Sequence, residues 1–128
     1  MKWIQAFNTA GEDTTLTQMN YGTTATVGNF SPPVDGTIKK IALLIGGVAA
    51  TSLVELIRVE LESTDWSPNR QHFLVNGSAL RTAPAVQLQP FVYDVNLSMK
   101  KNTSIRGDFI HVTGTPVTST LVVLFGFE

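Results

Sequence analysis

The stretch that decides the fold is Phe91-Val92-Tyr93-Asp94-Val95-Asn96-Leu97-Ser98-Met99. Its odd positions, Phe91, Tyr93, Val95, Leu97 and Met99, are all apolar, and the even positions between them include Asp94, Asn96 and Ser98. A side-chain period of two puts the odd residues on one side of an extended chain. The segment therefore reads as a half-buried strand with a core face and a wet face. Ile57, Val59 and Leu61 alternate with Arg58, Glu60 and Glu62 in the same way, and Ile41, Leu43 and Ile45 form a third inward row. The run Leu121 to Phe127 is apolar on both faces, with Leu121, Val123, Phe125 and Phe127 on one and Val122 and Leu124 on the other. Such a strand is central, or its second face is covered by a neighbour.

Turn signals separate these runs. Asn20-Tyr21-Gly22, Gly28-Asn29, Ser31 to Gly36, Gly46-Gly47, Asp65 to Asn69, Asn76-Gly77, Lys100 to Asn102 and Gly114-Thr115-Pro116 each join residues that favour chain reversal. The segments between them are mostly 6–12 residues long, the spacing of a sandwich or barrel. The Thr-rich segment 14–27 predicts one or two exposed strands, since Thr tolerates a wet sheet face. Residues 52–63 carry a competing signal. Ser52-Leu53-Val54-Glu55 is a capping box, and Leu53, Leu56, Ile57 and Leu61 share a helical face, so a helix stands there as the alternative to a strand. The expectation is an all-β, eight-stranded antiparallel sandwich over 1–128, a jelly roll before other sandwiches or a barrel.

Composition sharpens this. The 128 residues suit one domain large enough to bury a core. With no Cys, disulfides and thiolate metal sites are excluded. Nine basic against ten acidic residues give a net charge of −1, which disfavours nucleic-acid binding. The doublets Lys39-Lys40 and Lys100-Lys101 form no basic stripe. Charged residues are 15% of the chain, against about 25% in a typical domain, as suits an exterior covered by partners. The apolar run from Ile41 to Val54 is too short for a spanning helix, which needs about 20 residues, and no signal peptide is expected after Met1-Lys2-Trp3-Ile4.

Catalytic signals are weak. His72 and His111 form no His-x-His or His-x-x-x-His pair, and Gly46-Gly47 lacks the Lys-Ser/Thr of a phosphate loop. Glu60 and Glu62 read as a solvated strand face, and Arg106-Gly107-Asp108 as a strand with a glycine kink. No enzyme activity and no cofactor is expected. Asp65-Trp66-Ser67-Pro68-Asn69-Arg70 sets a Trp among turn residues. Trp66 reads as an interface anchor, a sugar-stacking platform or a ring folded back on the sandwich edge.

The Pro-rich entry Ser31-Pro32-Pro33-Val34-Asp35-Gly36-Thr37-Ile38, the acidic strand Arg58 to Glu62 followed by Pro68-Asn69 and Phe73 to Gly77, and the close Thr118 to Glu128 together resemble the single jelly-roll capsid proteins of icosahedral viruses. The resemblance implies a shell or vertex subunit, located in the virion, that self-associates through sandwich edges and loops. It implies further copies of the chain and other virion proteins as partners. Many such proteins carry a basic N-terminal arm, and this chain has one Lys in its first 38 residues. Trp3, Phe30 and Trp66 are the expected contact anchors. The alternative is a carbohydrate-binding sandwich, with Trp66 or Tyr93 stacking on sugar and Asp65, Asn69 or Asp94 bonding hydroxyls.

Overall fold

The computed structural model describes residues 1–11, 14–47, 56–76, 90–113 and 119–128. They form nine strands and no helix: β1 (Lys2–Gly11), β2 (Thr17–Gln18), β3 (Asn20–Tyr21), β4 (Gly36–Gly47), β5 (Leu56–Glu62), β6 (Arg70–Asn76), β7 (Phe91–Met99), β8 (Arg106–Thr113) and β9 (Ser119–Phe127). The ninth beyond the expected eight is two-residue β3, which pairs with β1 in the Thr-rich region. The helix alternative fails over Leu56–Glu62, which is strand β5. Its proposed capping box, 52–55, lies outside the described residues.

Two antiparallel sheets face each other. One runs β3-β1-β9-β4-β7 and the other β2-β8-β5-β6. Four of the pairings nest: β1 with β9, β2 with β8, β4 with β7, and β5 with β6. This is the order left by folding one long hairpin back on itself. The joins β4·β9 and β5·β8 then complete each sheet. β9 is central in its sheet, as its two apolar faces require.

The core lies between the sheets. Ile38, Ile41, Leu43 and Ile45 of β4 meet Leu121, Val123 and Phe125 of β9, with Ile57, Val59 and Leu61 of β5 opposite. Phe7, Phe30 and Phe125 pack edge to face with centroids 5.7–6.3 Å apart, the geometry their ring quadrupoles prefer. Ile38 and Ile41 are three apart yet both buried, so strict alternation cannot hold between them. A bulge between Ile38 and Lys40 absorbs the extra residue, and the side chains of Lys39 and Lys40 reach out to Asn96 and Asp94 on β7. A second bulge in β1, between Gln5 and Phe7, does the same for buried Ala6 and Phe7.

Candidate interaction surfaces

With the sheets in register, each outer face can be read row by row. On the four-stranded sheet, Arg106, Glu62 and Arg70 form one row, and Gln18, Asp108, Glu60 and His72 the next. Ile110, Arg58 and Leu74 follow. Like charges directly opposite destabilise a sheet, so Glu60 beside Asp108 needs compensation. Arg70 supplies it. Its Nη1 donates to Glu60 at 3.2 Å and to Asp108 at 3.4 Å, and its Nη2 to Glu62 at 2.5 Å. Arg106 donates from Nε to Asp108 at 3.0 Å, Arg58 from Nε to Glu60 at 3.1 Å, and His72 Nε2 lies 3.0 Å from Glu60.

These side chains roof the carboxylates, so Glu60 is 4% exposed and Asp108 1%. The expectation of a solvated Glu60 is corrected. Alternation gives the outward direction, and the long cationic neighbours give the cover. Burial alone would lower the Arg70 guanidinium; hydrogen bonds with Glu62 and Glu60 outweigh it and hold the group above the ordinary arginine value. The hydrogen bond with Asp108 raises Arg106 likewise. Asn29, Ser63, Thr64 and Ser104 border a cleft of about 330 Å³ at this end, beside Glu62, Arg70 and Arg106. Arg106-Gly107-Asp108 lies on β8, with Asp108 buried in the cluster. Gly107 fits close packing there: a Cβ would stand 2.7 Å from the Met19 methyl and 3.1 Å from the Phe7 ring, so both side chains would have to shift.

The five-stranded sheet presents a different exterior. Trp3, Gly126, Lys40 and Asp94 form one row; Gln5, Leu124, Ala42 and Val92 the next; Asn8, Val122 and Leu44 the third. The middle of this face is apolar. Trp3 is 47% exposed and Val92 44%, while Leu44, Val122 and Leu124 are half-buried. The indole of Trp3 lies against Gly126 of β9, where a Cβ would stand 3.0 Å from the ring and 2.9 Å from Met1 Sδ. The margin is polar and internally satisfied. Lys40 pairs with Asp94 at 2.5 Å, Lys39 donates to Asn96 at 2.9 Å, and Asn8 and Gln5 donate to the Gly22 carbonyl.

The expected anchors divide. Trp3 lies on this apolar face. Phe30 and Trp66 are corrected, because they are 6% and 3% exposed and belong to the core cluster. Trp66 donates from Nε1 to the Ser98 carbonyl at 2.8 Å, so the ring is folded inward and its one polar atom is satisfied. The sugar-stacking set is not assembled either. Trp66 and Asp65 line a depression of about 360 Å³ with Thr37, Asn96 and Ser98, but the buried indole offers no ring face. Tyr93 packs on Phe73 and Phe91, and its hydroxyl donates to the Leu74 carbonyl. Asn69 and Asp94 do not line that depression.

No family model and no curated protein matches the chain. Among the described residues, no helix is long and apolar enough to cross a membrane.

Proposed function

We propose that this protein is a non-enzymatic structural subunit of a virus particle that self-associates. The nested strand pairing supports reading the sandwich as a jelly roll, an arrangement used by capsid subunits, lectins and cupins alike. Fold alone does not choose among these. The observation that favours a structural subunit is the apolar outer face of the five-stranded sheet, from Trp3 across Leu124, Val122, Leu44 and Ala42 to Val92.

Apolar area exposed on a monomer contributes roughly 25 cal/mol per Å² when covered, before the costs of association are subtracted. A patch of this kind marks an interaction site more often than an idle surface. The chain's low charge content acts in the same direction, since few charges resist close approach of copies. Negative-stain electron microscopy of the purified protein tests the proposal. Closed, uniform particles or discrete rings are the expected result. A field without assemblies at any salt concentration, together with a monomeric mass, would refute it.

A further inference from the structure

We infer that the occupant of the apolar outer face is a second copy of this chain, docked sheet face to sheet face about a two-fold axis. This inference rests on the self-association proposed above and names its surface and symmetry. An isologous contact requires one patch to be complementary to itself. The register supplies that property. Apolar side chains occupy matching rows of the two central strands: Leu124 and Val122 on β9 stand beside Ala42 and Leu44 on β4, with Gly126 beside Lys40 one row beyond.

A two-fold axis lying in the contact plane, between these strands and along them, exchanges their residues row by row. Leu124 of one copy then falls over the small Ala42 of the other. Val122 falls over Leu44, and the Lys40 chain over the Trp3 indole that covers Gly126. Trp3 is brought beside Asp94, which is 83% exposed at the side chain. Apolar rows thus meet apolar rows, with Leu124 set over the small Ala42, as packed sheet faces require at a separation of about 10 Å.

The size of the face fits a weak dimer. Four strands about 4.8 Å apart are about 14 Å wide, and Gly126 to Thr120 spans about 20 Å. A side-chain margin of about 5 Å on every side gives about 700 Å² per copy, just under the roughly 800 Å² per partner of a standard interface. The surround argues against a lipid surface. Membrane-lying faces are ringed by unpaired basic residues, whereas here Lys40 is held by Asp94 and Lys39 by Asn96.

Sedimentation velocity on the full chain, with Leu124→Lys and Leu124→Glu variants, tests this. Leu124 lies near the centre of the patch, so either charge meets its like in a homodimer. The native chain is expected to exceed its monomer mass of 13.9 kDa as concentration rises. Each variant is expected to stay monomeric to at least tenfold higher concentration, and their equimolar mixture to associate again. Val92 falls over Gln5 of the other copy, so the double variants Gln5→Lys/Val92→Lys and Gln5→Glu/Val92→Glu, on the outer strands of the patch, repeat the like-charge test away from its packed centre. Variants that associate as the native chain does would overturn this inference while leaving self-association intact. A mixture as monomeric as its components would also overturn it. A native chain that stays monomeric but sediments with phosphatidylcholine vesicles would overturn both.

Discussion

Replacing Arg70 with Met removes the one side chain among the described residues that touches Glu60, Glu62 and Asp108 together. Met keeps much of the aliphatic stem, so the change isolates the guanidinium. Glu60 and Asp108 are directly opposite across β5 and β8, and their side chains are 6% and 2% exposed. Opposite residues have Cβ atoms about 5 Å apart. With an effective dielectric of about 20, two like charges at that distance repel by roughly 3 kcal/mol. Breaking a buried pair costs about 3–5 kcal/mol. Arg106 still holds Asp108, and Arg58 still holds Glu60, which lowers the figure. The expected loss is about 2–3 kcal/mol, read as a lower urea midpoint with an unchanged slope. In an Asp108→Asn background the like charge is gone, so Arg70→Met should cost at least about 1 kcal/mol less. A loss below about 0.5 kcal/mol in the native background, or equal losses in both, would refute the view that Arg70 holds two buried carboxylates together.

Other consequences follow from the same packing. Gly107→Ala should destabilise by about 1–3 kcal/mol, because the new methyl enters the space of Phe7 and Met19; a thermal melt reads it. Trp66→Phe should cost about 2 kcal/mol through the lost hydrogen bond to the Ser98 carbonyl and the smaller ring, again by denaturant titration. Acrylamide should quench Trp3 readily and Trp66 hardly at all at low protein concentration, so Trp3→Phe should remove the accessible fraction of the fluorescence. The arginine shifts contribute no pH dependence near neutrality. Both groups are raised, so their contribution is complete below the unfolded value and lost only above it, in strong alkali. Stability lost on Arg70→Met should therefore be the same at pH 7 and pH 9.

Much of the fold was legible because alternation is local. Ile57, Val59 and Leu61 point inward on β5, and the two-faced run Leu121 to Phe127 is a central strand. What alternation does not carry is cover. It sends Glu60 outward and is silent on Arg58, Arg70 and His72 closing over it from two strands. Trp66 and Phe30 misled for a related reason. Each lies among polar turn residues, and only the nonlocal approach of Ser98 to one and Ile105 to the other brings it into the interior. Leu44, Val122 and Leu124 could be seen as outward apolar residues, but not as one patch. Joining them requires β4 to lie beside β9 in the observed register, a pairing between segments far apart in the chain.

The most direct test of the central claim is the mass of the native chain by light scattering along a dilution series from several hundred micromolar to below one micromolar. A mass that rises with concentration above 13.9 kDa and falls back on dilution is the expected result. A mass fixed at the monomer throughout would contradict the claim that the greasy exterior of the five-stranded sheet exists to be covered by another copy.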